Sequence, residues 1–314
     1  MKGLEVARAY FETCGRPMLE ERFPELLPLL AVGLFGAGSE CFGFDDDVSR
    51  DHDFEPGFCV LMPGEDRLDR RSAFLLERAY SKLPREFMGL RRALMAPVGG
   101  PRHGVMRTGE YFAEKVGAPD GVLTVGQWLA LPEQALCEAV NGEVFLDGPG
   151  EVTAIRARLS RFPQDIRLKK LAGELWRMAQ SGQYNYARCL KHGETGAAQL
   201  AAAEFAQSAM HALFLLNDVY MPYYKWAFRA LRGLPRLSLE AEVLEFLITT
   251  GNDADLAREK QAAMEGVCQD VVAELRRQAL TGIGGDDLER HAYSVNVAIA
   301  DGALRNAHVS AAAP

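Results

Sequence analysis

The chain contains 314 residues and carries a formal net charge of −8. Its 48% hydrophobic and 25% charged residues are typical of a soluble globular protein, and no apolar run is long enough to span a bilayer. The acidic balance argues against a long nucleic acid as partner. The six cysteines form no C-x-x-C pair, so neither a zinc site nor a disulfide framework is indicated. The chain opens without the apolar segment of a signal peptide, and we expect a cytoplasmic protein of two domains. Its oligomeric state stays open.

The first half of the chain alternates predicted helices and strands. Gly148-Pro149-Gly150 closes the last of these strands and is the best candidate for a domain boundary. We therefore predict an α+β domain with a mixed sheet over residues 1–150. The predicted elements, in chain order, are two short helices within 4–23, a strand from 29, a strand ending with 58–62, a helix over 66–83, a strand over 102–108, a helix from about 109, helical pieces over 123–129 and 132–138, and a strand over 142–147.

The second half of the chain shows apolar residues at helical spacing almost throughout, without strand alternation. We predict that residues 151–314 form an all-α helical bundle. The predicted helices cover 153–159, 168–180, 184–191, 197–219, 239–248, 255–280 and 287–309.

One stretch calls for a chemical explanation. An apolar run ends in Gly38-Ser39. Eleven residues separate Ser39 from Asp51, and Asp53 follows two positions later. Two acids at alternate positions of a strand share one face, and a glycine turn brings backbone N–H groups close to a ligand. Together they suggest a site for a divalent metal ion and a phosphate. A dinucleotide fingerprint is excluded because Cys41 occupies the position of its third glycine, and no Gly-Lys-Ser/Thr follows to form a P-loop.

These residues resemble the signature of the DNA polymerase β-like nucleotidyltransferases: Gly-Gly/Ser, a spacer of about ten residues, and Asp-apolar-Asp/Glu. The middle residue here is His52, where the signature has an aliphatic residue. The longer string from Gly38 to Asp53 is similar to the DUF4037 family of bacterial proteins, which is grouped with these enzymes. The segments 185–188 and 217–226 also look like this family, so the resemblance covers most of the chain.

The resemblance implies a nucleotidyltransferase-like domain, residues 1–150, followed by a helical substrate-binding domain, residues 151–314. Asp51 and Asp53 would be catalytic and would bind Mg²⁺ or Mn²⁺, and Gly38 and Ser39 would contact a nucleoside triphosphate such as ATP. The implied reaction transfers a nucleoside monophosphate to a hydroxyl group of a small acceptor and releases pyrophosphate. Three alternatives stay open: a catalytically degenerate nucleotide- or ligand-binding protein, a metal-dependent glycosyltransferase with an Asp-x-Asp motif, and a structural role in which the two acids only cap a strand.

Active members of this superfamily usually carry a third carboxylate on a later strand, and the predicted strand 102–108 has none. The candidates to replace it are Glu110, Asp147 and the run Asp45-Asp46-Asp47. Lys225, which lies among aromatic residues, is a candidate to contact the triphosphate, as helical-domain lysines do in the aminoglycoside nucleotidyltransferases; packing on Trp226 is the structural alternative. We interpret His211, in an apolar helix, as a buried and hydrogen-bonded histidine.

Overall fold

The computed structural model describes residues 2–48, 55–92 and 102–311. The chain divides into two compact units. Unit 1 consists of Met1–Thr124 and Ala135–Ser160, and unit 2 consists of Val125–Gln134 and Arg161–Pro314. The mixed α+β character expected from the sequence is confirmed.

Unit 1 contains a four-stranded mixed sheet in the order β5-β2-β1-β6. Strand β1 (Ala31–Leu34) is antiparallel to β2 (Cys59–Met62) and to β6 (Glu143–Asp147), whereas β5 (Gly104–Arg107) runs parallel to β2. Each of these strands lies within a segment that the sequence predicts as a strand. β1 and β2 are buried over their whole length, which explains why they appear in the sequence as continuous apolar runs.

A small hairpin of unit 1 was not predicted. It pairs β3 (Glu86–Phe87) with β4 (Leu90–Arg91) through the residues Met88 and Gly89. Both turn residues have positive φ, 52° and 79°, which a two-residue hairpin turn of type I′ requires. Methionine is not a usual residue at such a position, so the turn leaves no recognisable signal in the sequence.

Helices surround the sheet of unit 1, and the N-terminal pair packs on it. Tyr10 and Phe11 are fully buried, and their rings lie 5.7 Å and 5.4 Å from the ring of Phe58, just before β2. The helices are α1 (Gly3–Tyr10), α2 (Arg16–Arg22), α3 (Arg70–Ser81), α4 (Thr108–Val116) and α7 (Glu151–Leu159), with a π-helical turn, Phe11–Gly15, between the first two.

Unit 2 is helical, and its longest helices contact one another side by side. Helix α8 packs against α10 and α14. α10 is rich in alanine, the best helix former, and is buried along most of its length. The remaining elements of the chain are α5 (Val125–Ala130), α6 (Glu133–Val140), which begins in unit 2 and continues in unit 1, α8 (Gln164–Met178), α9 (Ala187–Lys191), α10 (Thr195–Leu216), α11 (Tyr224–Leu231), α12 (Glu240–Thr249), α13 (Ala254–Arg277), α14 (Leu288–Val297) and α15 (Gly302–Asn306).

The helical segments predicted over 168–180 and 184–191 are continuous in the structure. Eight residues in the π-helical form, Ala179–Tyr186, join α8 directly to α9. Gly182 lies in this segment against Phe205 of α10, where a Cβ atom would be 2.3 Å from the ring. The glycine is thus explained by close helix packing, and the sequence pattern alone reads it as a break. Conversely, the predicted stretch 287–309 is split, because Asp301 caps a separate helix, α15.

None of the helices in the three described ranges is both long enough and apolar enough to cross a membrane.

Replacing Gly182 by alanine should destabilise the protein. The new methyl group meets the ring of the fully buried Phe205, and overpacking of this kind costs about 1–3 kcal/mol. Gly266→Ala is the matched control, because this glycine lies inside α13 with no atom within 4 Å of the added Cβ. That substitution should stabilise by up to about 1 kcal/mol through helix propensity. Urea unfolding of the two variants measures both values, and equal effects would contradict the close packing at Gly182.

Candidate functional site

Four strand ends of unit 1 meet at one edge of the sheet. β1 reaches this edge with Leu34, which pairs with Glu143 at the start of β6. β2 runs antiparallel to β1 and β5 runs parallel to β2, so both begin at the same edge, with Cys59 and Gly104 as register partners. Topology therefore brings together the segment that follows β1 and the segments that precede β2, β5 and β6.

The segment after β1, which we call the glycine loop (Phe35–Ser39), is held by Asn141 from the segment before β6. The side-chain Oδ1 of Asn141 accepts a hydrogen bond from the Gly36 N–H at 2.8 Å, and its Nδ2 donates one to the Gly36 carbonyl, also at 2.8 Å. Gly36 has a φ of 107° and Gly38 a φ of 136°, conformations that favour glycine. The loop thus has a backbone conformation that residues with a side chain rarely adopt. The side-chain amide of Asn141 holds it by binding both the N–H and the carbonyl of Gly36.

Glu40 is a buried acid directly behind the glycine loop. Its carboxylate lies against Gly38, where a Cβ atom would be 2.4 Å from Oε1. Burial raises the pKa of Glu40, and nearby His103 and Arg102 act in the opposite direction. A carboxyl group with a raised pKa beside a glycine turn and two basic residues is a candidate functional group.

His103 connects the segments that precede β2 and β5. Its side chain is only 8% exposed, and its Nδ1 lies 3.5 Å from a carboxylate oxygen of Glu55. The imidazole packs on Gly57, where a Cβ atom would be 2.5 Å from the His103 Cγ. Only a residue without a side chain leaves room for this contact. The histidine and the acid of two neighbouring parallel strands therefore meet at the sheet edge.

A cavity of about 570 Å³, which we call the loop cavity, opens beside these groups within unit 1. Part of the glycine loop, Phe35 to Ala37, forms one wall. Some of the basic side chains are already engaged by the protein, since Lys115 pairs with Glu138 at 3.0 Å. The ionisable residues that line the cavity are Arg92, Arg102, His103, Lys115, Glu77, Glu110 and Glu114.

Of the residues predicted to form the site, Gly38 and Ser39 lie in the glycine loop at the sheet edge. Asp51 and Asp53 lie outside the described residues, and their role as metal ligands stays a prediction. The next described residue is Glu55, two positions after Asp53, and it is at the sheet edge in contact with His103.

Two of the acids proposed as a third carboxylate have structural partners. Asp45 is buried and accepts a hydrogen bond from the Gly3 N–H at 2.9 Å, with Lys2 at 3.4 Å, so it caps the beginning of α1. Asp147 accepts a hydrogen bond from the Thr153 N–H in the first turn of α7 at 2.8 Å. Both acids therefore contribute to helix starts.

Glu110, a third candidate, is exposed in the first turn of α4 and lines the loop cavity. Asp46 and Asp47 are exposed. Across residues 2–48, 55–92 and 102–311, no cluster of three or more His, Cys, Asp or Glu side chains is arranged to hold a metal ion.

Lys225 is exposed in the first turn of α11 in unit 2. Its Nζ lies 5.0 Å from the centre of the Trp226 ring, which is the packing interaction considered as the alternative. The contact of Lys225 with a triphosphate stays a prediction.

Unit 2 has a cavity of its own, of about 460 Å³, which we call the helical cavity. His211 of α10 lines it and, at 9% exposure, is buried, with Nδ1 3.0 Å from Oε1 of Glu133 at the start of α6. The interpretation of His211 as a buried, hydrogen-bonded histidine is thus confirmed. The second oxygen of Glu133 accepts a hydrogen bond from the Met221 N–H at 2.8 Å. Lys170 of α8 also lines this cavity and is 7% exposed.

Burial affects the ionisable groups around the helical cavity in different directions. It lowers the pKa of Lys170 and raises the pKa of Glu174. Burial alone would also lower the pKa of His211, but the hydrogen bond and charge of Glu133, together with the charge of Glu174, raise it overall above 6.5. The imidazole therefore holds its proton to higher pH than an exposed histidine does.

The sequence reading did not single out Glu40, His103, Glu133 or Lys170. Glu40 directly follows the Gly-Ser pair, a position that would have marked it as an acid near the loop. Glu133 and Lys170 carry no such signal, because their importance arises from residues distant in the sequence that meet around the helical cavity.

Replacing Asn141 by alanine should destabilise the glycine loop. The change removes both hydrogen bonds to the Gly36 backbone, and unsatisfied polar groups of this kind cost about 1–3 kcal/mol. Asn306→Ala is the control, because that side chain is exposed at the end of α15 and should change stability by less than about 0.5 kcal/mol. Chemical denaturation gives the difference in unfolding free energy. Faster hydrogen exchange of the Gly36 amide would show that the destabilisation lies in the glycine loop. An Asn141→Ala protein as stable as Asn306→Ala would contradict the role of the amide.

Replacing Glu133 by glutamine should lower the pKa of His211, because the carboxylate charge that offsets burial is lost. Since the native pKa is raised, the stabilisation from the ionised pair is complete below pH 6.5 and is lost as the pH rises through the folded-state value. Titration of the His211 ring proton by NMR measures the shift, with the exposed His192 as the reference resonance. An unchanged His211 titration would show that Glu133 is not the group that sets it.

Residues 128–227 match the family model described as "Domain of unknown function (DUF4037)". This match supports the resemblance to that family over the matched residues, whereas the motif from Gly38 to Asp53 lies before them. No curated protein matches the chain. No solved structure matches it either.

Proposed function

We propose that the chain is a metal-dependent nucleotidyltransferase of the DNA polymerase β-like superfamily. It would transfer a nucleoside monophosphate from a nucleoside triphosphate to a hydroxyl group of a small acceptor and release pyrophosphate. The observation that carries the proposal is the meeting of the glycine loop with the start of β2 at one sheet edge, since the Asp51/Asp53 motif precedes β2 in the sequence.

The glycine loop supplies the first requirement of such a site. Glycines with positive φ let a backbone approach a phosphate closely, and the Asn141 clamp fixes this backbone before any ligand arrives. The neighbouring loop cavity carries Arg92 and Arg102 on its walls, where a cationic group can contact a phosphate, together with the glutamates Glu77, Glu110 and Glu114. Its volume of about 570 Å³ is within the usual range for small-molecule sites.

The donor chemistry at the edge suits Mg²⁺, which prefers carboxylate oxygens to nitrogen or sulfur ligands. The carboxylate of Glu55 already lies at this edge, beside His103. Asp51 and Asp53 would hold the ion. When bound, Mg²⁺ supplies positive charge that offsets the negative charge of the phosphates.

The roles of the chain's own residues follow from their positions. The glycine loop would hold the terminal phosphates, and Arg102 would add positive charge on the adjoining wall. Glu40, with its raised pKa, would hold a proton beside the loop at neutral pH more readily than an exposed glutamate does. The acceptor and the preferred base are not specified by these groups.

Asp51→Asn/Asp53→Asn is the variant that tests the proposal. We expect ATP with Mg²⁺ to raise the melting temperature of the wild type, since saturation at about 100 times Kd stabilises by about 2.7 kcal/mol. The double variant should lose this rise. Glu21→Gln/Glu25→Gln removes the same charge from exposed positions of unit 1 and should keep it. Equal stabilisation of all three proteins would overturn the proposed site.

Pyrophosphate release separates the enzyme from its alternatives. The wild type should release pyrophosphate from ATP with at least one member of a panel of hydroxyl acceptors, and loss of an electrostatic stabiliser of the transition state should cost the double variant about 2.7–4 kcal/mol in activation free energy. Binding of ATP without release for any acceptor would favour the degenerate binding protein. Stabilisation by nucleotide-sugars alone would favour the glycosyltransferase.

A further inference from the structure

The helical cavity contains a buried cation without a carboxylate partner. Lys170 is 7% exposed, and its Nζ donates a hydrogen bond to the Leu129 carbonyl at 3.1 Å and lies 5.4 Å from the centre of the Phe162 ring. Lys170 forms no direct ion pair with an Asp or Glu of the described residues, although the charges of Glu133 and Glu174 act on it from farther away. An ammonium group has three N–H donors, so two of them find no acceptor in the described part of the chain.

Two other buried lysines of unit 2 have more hydrogen-bond acceptors than Lys170 has. Lys169 donates to Asn296 Oδ1 at 2.9 Å and to the Ala307 carbonyl at 2.8 Å. Lys260 donates to three oxygen acceptors at 2.8–3.1 Å. Neither of them lines the helical cavity. Lys170 therefore differs from its buried neighbours both in its open donors and in facing a cavity, and burying such a cation costs several kcal/mol unless a partner arrives.

His211, when protonated, provides a second open donor on the same wall. Its Nδ1 is engaged by Glu133, and its Nε2 has no hydrogen-bond partner within residues 2–48, 55–92 and 102–311. Both oxygens of Glu133 are themselves used, one by His211 and one by the Met221 N–H. The carboxylate thus orients the imidazole and leaves Nε2 as the ring atom available to a ligand.

The remaining walls of the helical cavity are apolar and aromatic. Leu131 and Met221 line it together with Tyr223 and Tyr224, whose rings are 4.2 Å apart. Tyr224 is 73% exposed, which is unusual for a large aromatic side chain and leaves its ring free to cover a ligand. A volume of about 460 Å³ suits a small organic molecule.

We propose that the helical cavity binds an organic monocarboxylate with an aromatic or aliphatic body, whose carboxylate accepts hydrogen bonds from Lys170 Nζ and His211 Nε2. Lys170 and, when protonated, His211 are positive, whereas Glu133 and, when ionised, Glu174 are negative. These groups together carry at most one net positive charge, which matches a monoanion better than a phosphate dianion. The apolar walls hold the body of the ligand. This proposal rests on groups of unit 2 alone and does not depend on nucleotide binding in unit 1.

Titration calorimetry with 3-phenylpropionate tests the proposal. Two probes of the same shape, 3-phenylpropionamide and 3-phenylpropylamine, replace the carboxylate by a neutral and by a cationic group. We expect the acid to bind wild type at least about tenfold more tightly than the amide, because hydrogen bonds to charged groups are the stronger ones. The amine should bind least. Equal affinities for the acid and the amide would overturn the proposal.

Lys170→Met removes the cation and keeps an apolar stem. It should weaken binding of the acid by about tenfold or more and leave the amide unchanged, since only the acid uses the charge. Lys191→Met, at an exposed position of α9, is the matched control and should bind all three probes as wild type does. Unchanged affinity of the Lys170→Met protein for the acid would overturn the proposal.

A second variant keeps the test valid if Lys170→Met fails to fold. Tyr224→Ala alters a residue that is 73% exposed, so the fold is retained. The substitution should weaken binding of the acid and binding of the amide by the same factor, because the Tyr224 ring covers the phenylethyl body that both probes share. In wild type, addition of 3-phenylpropionate should shift the NMR signal of the His211 ring. No probe-dependent change at His211 and no effect of Tyr224→Ala would show that the acid binds elsewhere.

Discussion

The left-handed turn at Gly142 determines how the sheet edge of unit 1 is assembled. Gly142 has a φ of 63°, and a Cβ atom on it would lie 2.0 Å from the Leu34 carbonyl oxygen. Only glycine allows the chain to pass this close to the end of β1. The preceding residue, Asn141, is thereby brought beside Gly36, where its amide satisfies both backbone groups. Strand pairing, the glycine loop and its clamp are therefore consequences of one close backbone approach.

Strand pairing at the same end of the sheet also brings charged groups from distant parts of the chain together. Glu40, Glu55 and His103 belong to segments that follow β1, precede β2 and precede β5, and the antiparallel and parallel pairings carry all three to one edge. Gly38 and Gly57 provide the space in which the Glu40 and His103 side chains lie. Glycines therefore have two roles at this end of the sheet: some adopt positive φ angles, and some leave space for a neighbouring side chain.

The elements of the fold could be predicted where a local pattern specifies them. The apolar run of β1, the strand of β5 and the long helices α10 and α13 follow directly from spacing and propensity. The π-helical segment that joins α8 to α9 was missed because Gly182 is required by its close contact with Phe205. This contact is made between residues that are distant in the sequence. The hairpin at Met88 was missed because positive φ at methionine is fixed by the surrounding fold rather than by the residue itself.

The candidate sites were predicted only in part, for the same reason. Gly38 and Ser39 form a contiguous motif that is visible in the sequence, and their contact with a phosphate stays a prediction, whereas the pairing of His211 with Glu133 joins residues from different helices. Lys170 stands beside Lys169 in the sequence, and the two are indistinguishable there. Packing separates them, since one finds oxygen acceptors and the other faces the helical cavity with open donors.

The region that matches the DUF4037 model, 128–227, contains Glu133, Lys170 and His211 but not the glycine loop. The family match therefore covers helices that line the helical cavity. It does not cover the motif formed by Gly38-Ser39 and the two acids Asp51 and Asp53. Each unit has its own polar groups and its own cavity, with a clamped glycine loop in unit 1 and a buried, incompletely partnered cation in unit 2. Because the two candidate sites use different groups, loss of one proposed chemistry in a related chain would not by itself require loss of the other.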